Sequence, residues 1–171
     1  MAKLNSNLGL EVKKFRTTGN ILMTLVVLLF LTNCSASKGQ KQGKADKVLN
    51  VAQSYIGTPY KWGGTSRSGM DCSGLVCTAY SSVGMKLPRT VVDQAKLGRE
   101  VSMGSLRKGD LVIFRIKRKK KGRVWHTGIV KEVVSKNEIL FVHASSSKGV
   151  TVSNLMSDYY QKWFKQARRL L

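Results

Sequence analysis

A cysteine at the start of a predicted helix is the residue of this chain best suited to chemistry. Cys72 lies between Asp71 and Ser73, after a glycine-rich segment, and a helical pattern runs from it to Gly84. A thiol in the first turn of a helix faces unsatisfied backbone N–H groups and the positive end of the helix dipole, which favour the thiolate. The sequence therefore predicts a nucleophile at Cys72 with a lowered pKa.

The chain contains two histidines, and both lie downstream of Cys72 in apolar segments typical of strands. They are His126 and His143. A cysteine peptidase with papain-like chemistry needs a base beside the thiol and a third polar group that orients the base. We expect Cys72, His126 and His143 to fill these three roles.

Helical patterns occupy the part of the chain that surrounds Cys72. Apolar residues recur at helical spacing from Asp46 to a stop at Gly57, and again from Cys72 to Gly84. A shorter helix is predicted over Val91–Gly98. Such spacing gives each helix one apolar face, which must pack on the rest of the domain.

The second half of the chain changes to patterns typical of strands. Strands are predicted over Leu111–Ile116, Trp125–Val133, Ile139–His143 and Phe164–Leu170. A short helix is expected within Ser153–Trp163, and Lys117–Arg123 is predicted to be a hairpin loop. Helices followed by an antiparallel sheet indicate the α+β class. The helix of Cys72 then packs on the sheet that carries both histidines, which is the papain-like arrangement.

The first residues of the chain are typical of an export signal. Lys13, Lys14 and Arg16 precede the apolar run Ile21–Leu31. This run has the length of a signal sequence and is shorter than the roughly 20 residues that a membrane-spanning helix needs. We therefore predict that residues 1–33 are a signal peptide and that the protein is exported.

Cys34 follows this apolar run after Thr32 and Asn33, and the segment Leu31–Cys34 resembles the bacterial lipobox. The resemblance implies cleavage before Cys34 and lipidation of its thiol, with residues 34–45 as a lipidated cysteine and flexible tether. Ser35 after the cysteine favours an outer-membrane address, facing the periplasm. The alternatives are a cleaved signal that leaves a free thiol, or an uncleaved anchor.

The charge of the chain is strongly positive, at +21. Such a balance favours anionic partners, and export removes nucleic acid from the candidates, so that wall polymers and lipid headgroups remain. The basic run Lys117–Arg123 is the strongest charge feature. It is either a solvated loop or a surface that docks on anionic wall polymer or headgroups. The histidines and the scattered acidic residues form no pattern of metal ligands.

Several short motifs, in a fixed order, resemble the NlpC-type family of bacterial cell-wall cysteine peptidases. The matching segments are Gly57–Gly64, Asp71–Val76, Leu87–Arg89, Lys108–Phe114, His126–Val130 and Val142–Ala144. The resemblance implies a papain-like catalytic domain over residues 46–171, with N-terminal helices packed on a small antiparallel sheet. It also implies an endopeptidase that cleaves peptidoglycan stem peptides between D-glutamate and the diamino acid, without metal or organic cofactor.

The resemblance also implies roles for residues beside the triad. Tyr60 matches a tyrosine whose hydroxyl, with the backbone N–H of Cys72, stabilises the oxyanion; packing in the wall of the site is its alternative role. Asp71 and Ser73 match a pair that helps to hold the free amino group of the stem peptide. For Asp71, a helix N-cap is the alternative.

Two further residues are expected to bind substrate. Arg89 suits a substrate carboxylate because its guanidinium is planar and donates two parallel hydrogen bonds; an ordinary solvated arginine is the alternative. Trp62 lies in the glycine-rich segment next to the predicted oxyanion site. Gly63 and Gly64 are expected to permit close backbone approach beside the nucleophile.

Two other functions compete with this interpretation. One is a catalytically silent cell-wall-binding module that keeps the fold, against which the intact Cys72, His126, His143 and Tyr60 argue. The other keeps the thiol chemistry and changes the bond, as in an amidase or a peptidase that cuts the cross-links between stems.

Overall fold

A computed structural model describes residues 39–118 and 122–171 of the chain. The chain divides into two compact units, Met1–Lys41 and Gln42–Leu171. The predicted signal peptide, Cys34 and the centre of the basic run lie outside the described residues. Among the residues that are described, no helix is both long enough and apolar enough to cross a membrane.

Helices come first along the described chain and a large antiparallel sheet follows, so the predicted α+β class is confirmed. The helices are α1 (39–54), α2 (Cys72–Ser81), α3 (Val91–Gln94) and α4 (Asp158–Trp163), with a 3-10 turn at Met103–Ser105. The strands are β1 (Thr65–Ser66), β2 (Gly69–Met70), β3 (Arg99–Val101), β4 (Leu111–Arg118), β5 (Gly122–Ser135), β6 (Glu138–Ser145), β7 (Gly149–Asn154) and β8 (Phe164–Arg169). The large sheet has the order β3-β8-β4-β5-β6-β7, and β1 pairs with β2.

One face of the large sheet packs on the first two helices. The predicted apolar faces of α1 and α2 meet there, and their buried residues form one cluster with residues of β4, β5 and β6. Tyr80 lies in this cluster and donates a hydrogen bond from its hydroxyl to the carbonyl of Gly109. Burial of each large apolar side chain stabilises the fold by about 1.5–3 kcal/mol. This packing fixes the start of α2 against the middle of the sheet.

The other face of the sheet has its own core, in which aromatic residues predominate. Phe114 on β4 and Phe141 on β6 are fully buried, with ring centroids 5.4 Å apart. Tyr160 of α4 packs on both rings, at 5.4 Å from Phe114 and 4.8 Å from Phe141. The short helix α4 therefore closes this face and brings a tyrosine hydroxyl to the edge of β6 and β7.

The structure corrects several predicted boundaries. Residues 39–45, predicted to be part of a flexible tether, are helical and belong to α1. This segment contains two lysines, two glutamines and one alanine, which are good helix formers, and its two glycines did not prevent the helix. The helix predicted over Val91–Gly98 ends at Gln94. The helix expected within Ser153–Trp163 begins at Asp158, because β7 extends to Asn154.

The hairpin loop predicted at Lys117–Arg123 is shorter than expected. Lys117 pairs with Arg123, and Arg118 pairs with Gly122, so the outer residues of the basic run continue β4 and β5. Strands tolerate charged side chains well at the exposed end of a hairpin, and a loop pattern in the sequence does not distinguish the two cases. The two ends of the basic run therefore lie in the central strands β4 and β5.

Candidate active site

Cys72 is the first residue of α2, as the sequence predicts. Asp71 is the N-cap of the helix, and its Oδ1 accepts a hydrogen bond of 2.7 Å from the N–H of Gly74. The N–H of Gly63 donates to Asp71 Oδ2 at 2.7 Å, and the N–H of Asp71 donates to the carbonyl of Gly64 at 3.1 Å. A Cβ on Gly64 would lie 2.3 Å from the carbonyl oxygen of Gly69, so the predicted close backbone approach requires this glycine.

Arg89 holds the carboxylate of Asp71 with two hydrogen bonds. Its Nη2 lies 2.6 Å from Asp71 Oδ2, and its Nη1 lies 2.9 Å from Asp71 Oδ1 and 2.7 Å from Ser73 Oγ. Burial alone would raise the pKa of Asp71, but the hydrogen bonds from Arg89, Gly74 and Gly63 outweigh burial and lower it. Three of the four residues predicted to bind substrate, Asp71, Ser73 and Arg89, therefore form one cluster beside Cys72, held by an ion pair and hydrogen bonds.

The Cys72 thiol is buried, with 8% of the residue exposed. This burial raises the pKa of the thiol to about 11; the backbone N–H of Thr127 opposes the increase, and the charge of Asp71 adds to it. The prediction of a lowered pKa from the helix start is therefore wrong, because desolvation outweighs the helix terminus. The thiol is therefore neutral at neutral pH, and it could act as a nucleophile only with a base that removes its proton.

His126 lies on β5, one residue before the Thr127 whose N–H faces the Cys72 sulfur. Cys72 and His126 line one cavity of about 360 Å³. The Nε2 of His126 lies 2.9 Å from the Nδ1 of His143 on β6. With Nε2 engaged by His143, proton exchange with Cys72 falls to Nδ1 of His126. The structure thus brings the three predicted catalytic residues to one cleft.

His143 is buried in an aromatic setting and is held on both sides of its ring. It stacks on Phe141 with a centroid separation of 4.7 Å. Its Nε2 lies 2.9 Å from Ser153 Oγ and 3.2 Å from the hydroxyl oxygen of Tyr160. Burial lowers the pKa of His143 to about 4, so this imidazole is neutral at neutral pH.

A neutral imidazole has one N–H donor and one acceptor nitrogen, so the chain of contacts restricts the protonation states. For Nδ1 of His126 to accept a proton, Nε2 of His126 must carry one and donate it to Nδ1 of His143. His143 then carries its own proton on Nε2 and donates it to Ser153 or Tyr160. The hydroxyls of Ser153 and Tyr160 can therefore accept the Nε2 proton of His143, and this is the tautomer that leaves Nδ1 of His126 able to accept a proton.

Ser153 and Tyr160 were not predicted from the sequence. Ser153 lies on β7, which the strand patterns missed, and Tyr160 lies in α4. The three consecutive β-branched residues Val150, Thr151 and Val152 were the available signal for β7. An adjacent pair of tyrosines in a short helix is too common to indicate a role near a catalytic site.

Tyr60 lines the same cavity as Cys72 and His126. A single β-bridge joins it to Met70, and the N–H of Met70 donates to the carbonyl of Pro59 at 3.0 Å. Met70 is two residues before the nucleophile, so these bonds place Tyr60 beside the start of α2. Trp62 lines this cavity too and is 85% exposed. The oxyanion role of Tyr60 stays a prediction.

The cleft continues on both sides of the central cavity. A cavity of about 430 Å³ lies on the side of Cys72 and is lined by Asp71, Ser73 and Arg89, among others. A cavity of about 300 Å³ lies on the side of His126 and His143. Within the described residues, no group of three or more His, Cys, Asp or Glu side chains is placed to hold a metal ion.

A buried thiol at a helix start, facing a histidine pair on an antiparallel sheet, is the arrangement of a papain-like cysteine peptidase. This class includes several families with different substrates. The chain belongs to the NlpC/P60 family, whose sequence model matches residues 57–169.

Relatives in this family carry different names. Over 157 residues the chain is 38% identical to "Probable endopeptidase NlpC" of Escherichia coli (strain K12), with 86% of this chain and 97% of that protein covered. It is 37% identical over 126 residues to "Murein DD-endopeptidase MepS/Murein LD-carboxypeptidase" of the same strain, covering 73% of this chain and 62% of that protein. It is 31% identical over 130 residues to "Gamma-D-glutamyl-L-lysine dipeptidyl-peptidase" of Bacillus subtilis (strain 168), covering 76% of this chain and 42% of that protein.

A solved structure agrees with the fold. The crystal structure of an NlpC/P60 family protein from Bacillus cereus superposes on this chain with a TM-score of 0.64 and 31% sequence identity. The match covers 74% of this chain and 40% of the crystallised protein. The papain-like fold predicted from the sequence is thereby confirmed.

Proposed function

We propose that this protein is a peptidoglycan hydrolase that cleaves stem peptides at the γ-D-glutamyl–diamino acid bond. Cys72 is the nucleophile, His126 the base and His143 the residue that orients the base. The observation that carries this proposal is the 2.9 Å contact between His126 and His143 in the cleft that Cys72 lines. The bond itself is suggested by the name of the Bacillus subtilis relative.

The reaction follows from the protonation states of the site. Nδ1 of His126 takes the proton of Cys72 as the sulfur attacks the carbonyl carbon of the D-glutamyl group. The backbone N–H of Cys72 and the hydroxyl of Tyr60 stabilise the oxyanion of the tetrahedral intermediate. The C–N bond then breaks, and His126 returns the proton to the amine of the diamino acid, which leaves.

The second half of the reaction restores the enzyme. The acyl group remains on Cys72 as a thioester, and His126 removes a proton from a water molecule that attacks it. The C–S bond breaks, the sulfur takes back the proton, and L-Ala-D-Glu is released as the free acid. No metal or organic cofactor takes part in these steps.

The ion-paired cluster supports a position for the acyl part of the substrate. Asp71, Ser73 and Arg89 line the cavity on the Cys72 side. We place the free amino terminus of the stem peptide there, near the Asp71 carboxylate and Ser73. Arg89 offsets the charge of Asp71, so the cluster presents both an acceptor and a cation to the substrate.

Product masses test this proposal. The full chain, purified in mild detergent, is incubated with L-Ala-γ-D-Glu tripeptides that end in L-lysine or in meso-diaminopimelate, and in parallel with cross-linked muropeptides. We expect release of L-Ala-D-Glu by the parent protein and no release by its Cys72→Ala variant. Cleavage of no tripeptide by a folded parent protein whose Cys72 reacts with a thiol probe would overturn the choice of bond.

A second candidate keeps the triad and changes the bond. The relative named as a murein DD-endopeptidase is 37% identical to this chain, which favours hydrolysis of the cross-links between stems. The nucleophile, the base and the acyl-enzyme are the same in both reactions. Loss of cross-linked muropeptides, with the tripeptides left intact, would select this second candidate.

We also propose that the protein is exported and lipid-anchored through Cys34, at the outer membrane facing the periplasm. The motif before Cys34 and the preceding apolar run support this. Labelling of cells with a fatty acid that carries an alkyne tests it. We expect labelled protein from the parent gene and none from Cys34→Ala; equal labelling would contradict the anchor.

The basic run is the last element of the proposal. Arg123 lines the cleft on the side of Asp71, at the end of the β4–β5 hairpin. We propose that the cations of Lys117–Arg123 dock the cleft on anionic wall polymer or headgroups. Serine at all of these cationic positions should weaken binding to purified cell walls at low salt, whereas unchanged binding would remove this role.

A further inference from the structure

We infer that the cavity on the His126 side of the cleft binds the leaving part of the substrate and selects a free carboxylate there through Lys148. This inference rests on the proposed hydrolysis of a stem peptide and adds the chemistry that the second side of the cleft recognises. The cavity has a volume of about 300 Å³ and its lining includes the β6–β7 turn.

The chemistry of the reaction decides which part of the substrate lies in this cavity. The residue that protonates the leaving amine is the base, so the leaving group lies on the side of the scissile bond nearer His126. The central cavity shares Cys72 with the cavity that Asp71 and Arg89 line. It shares His126, Ile116 and Ser146 with the cavity beside the β6–β7 turn. A peptide that crosses Cys72 and then His126 therefore enters the cavity beside the β6–β7 turn.

The lining of this cavity suits an anion. Hydroxyl groups predominate in it, and they come from Ser145, Ser146, Ser147, Thr151, Ser153, Tyr159 and Tyr160. Lys148 is the cation of the lining, and no carboxylate is part of it. Among the described residues, Lys148 has no ion-pair partner. An ammonium group among hydroxyl donors is the environment that a carboxylate favours.

The turn that carries Lys148 is anchored to the segment that leads to Tyr60. Gly149 has a φ of 70°, and a Cβ there would lie 2.3 Å from the carbonyl oxygen of Thr58. The N–H of Val150 donates to that carbonyl at 2.8 Å, and the N–H of Gly57 donates to the carbonyl of Val150 at 2.9 Å. These contacts fix the turn relative to the cleft, so the base of the Lys148 side chain has a defined position.

The leaving diamino acid carries its α-carboxylate next to the amine that His126 protonates. That carboxylate is free when the diamino acid ends the stem, and it is an amide when the stem continues or is amidated. A cation in the leaving-group cavity therefore favours short stems that end at the diamino acid. This preference concerns the leaving diamino acid, whereas Asp71 and Arg89 meet the acyl part of the substrate.

Binding of the leaving group tests the inference without any cleavage. The ¹⁵N-labelled Cys72→Ala protein is titrated with the free diamino acid and, separately, with its carboxamide. We expect the amide signals of the β6–β7 turn, including Lys148, to shift with the acid and to move little with the carboxamide. Shifts of equal size with both compounds, or shifts elsewhere only, would overturn the inference.

Cleavage then measures the preference. Wild-type enzyme is given a tripeptide with a free terminal carboxylate and the same tripeptide as its terminal amide, and kcat/KM is compared. We expect a ratio of about tenfold in favour of the acid, because a charge-assisted contact is lost in the amide. Lys148→Gln should reduce the ratio to near one, and Lys148→Arg should retain most of it.

A matched control separates local from general charge. Lys136 is exposed at the β5–β6 turn, away from the cleft lining, so Lys136→Gln removes the same charge and should keep the tenfold ratio. A ratio that stays at tenfold in Lys148→Gln would overturn the subsite. If neither tripeptide is cleaved while the acid still shifts the signals of the turn, the proposed bond is wrong and the carboxylate site stands.

Discussion

The two sides of the proposed catalytic pair, Cys72 and His126, are held by opposite kinds of interaction. On the nucleophile's side, the helix start is fixed by an ion pair: Asp71 is 5% exposed and accepts two hydrogen bonds from Arg89, whose side chain is 41% exposed. On the base's side, His126 is held by a neutral, buried imidazole, and the hydroxyls of Ser153 and Tyr160 complete the chain. Charge positions the thiol, and uncharged hydrogen bonds position the base.

This difference follows from what each catalytic group needs. An ion pair next to the base would bias the protonation of His126, whereas neutral partners leave the proton free to move between Cys72 and His126. The helix N-terminus, in contrast, benefits from a carboxylate at the cap, and Arg89 keeps the net charge of that cap near zero.

Loss of the base should have the largest effect. His126→Ala removes the group that takes the proton of a thiol whose pKa burial raises to about 11. We expect kcat/KM to fall on the order of 10⁴-fold or more. In the same variant, the rate of Cys72 alkylation by iodoacetamide should keep increasing with pH well above pH 9. A variant whose alkylation rate matches the parent at neutral pH would show that His126 does not serve the thiol.

The neutral, buried His143 should make the stability of the folded protein decrease in acid. The folded state lowers the pKa of His143 from 6.5 to about 4, so the unfolded chain binds the proton first as the pH decreases. The stability linked to His143 is therefore present above pH 6.5 and is lost as the pH falls through that range to about 4. Its size is about 3 kcal/mol.

Urea denaturation at several pH values measures this loss. His143→Asn keeps an acceptor near the position of Nδ1 and has no group that titrates in this window. We expect the free energy of unfolding of the variant to vary less between pH 6.5 and 4, by about 3 kcal/mol, than that of the parent. An unchanged pH dependence would mean that His143 is not neutral in the folded protein.

Loss of the Arg89 cation from its ion pair with Asp71 should destabilise the protein. Arg89→Met leaves the buried carboxylate of Asp71 without its guanidinium partner. A fully buried pair would cost 3–5 kcal/mol, and the exposure of Arg89 reduces the expected cost to about 2 kcal/mol, measured by urea denaturation.

The double variant Asp71→Asn/Arg89→Met is the control. The carboxylate that lost its partner is then absent, so the double variant should be more stable than the sum of the two single changes predicts. Additive costs would show that the ion pair contributes nothing beyond the separate side chains.

The smallest effect is expected from the two hydroxyls that contact His143, those of Ser153 and Tyr160. Ser153→Ala and Tyr160→Phe each remove one hydroxyl beside Nε2 of His143. We expect kcat to decrease about three- to tenfold with little change in KM, because one neutral hydrogen bond contributes about 1 kcal/mol. In a His143→Asn background the same changes should have no further effect on kcat; an equal decrease there would indicate a merely structural role.

The sequence predicted which residues meet in the cleft better than it predicted their physical state. Cys72, His126 and His143 follow from residue type, helix start and strand patterns, and the cleft brings all three together. The pKa of Cys72 was predicted in the wrong direction, because its burial depends on the packing of Val91, Ala95, Ile113 and Trp125 around it, which no local sequence pattern records. The ion pair of Asp71 and Arg89 joins residues 18 positions apart, and only the packing of the turn at Leu87–Arg89 on α2 brings them into contact.

Strand β7 and the residues it carries were missed for one reason. β7 is an edge strand, and the β6–β7 turn sets its pairing with β6. The conformation of this turn depends on contacts of Gly149 and Val150 with Thr58. Without β7, neither Ser153 nor the carboxylate cavity could be placed. The start of α1 was missed for a different reason: residues 39–44 are exposed and have no apolar face to mark a helix, and the two glycines among them concealed the helix preference of the lysines and glutamines.

Trapping of the acyl-enzyme tests the central claim most directly. The parent protein is mixed with a stem tripeptide, quenched in acid within one turnover, and its intact mass and tryptic peptides are measured. We predict a mass increase on the peptide that contains Cys72, equal to an L-Ala-D-Glu acyl group, and no such adduct in Cys72→Ala. Tripeptide cleavage that persists in Cys72→Ala, with no adduct in either protein, would contradict the assignment of Cys72 as the nucleophile.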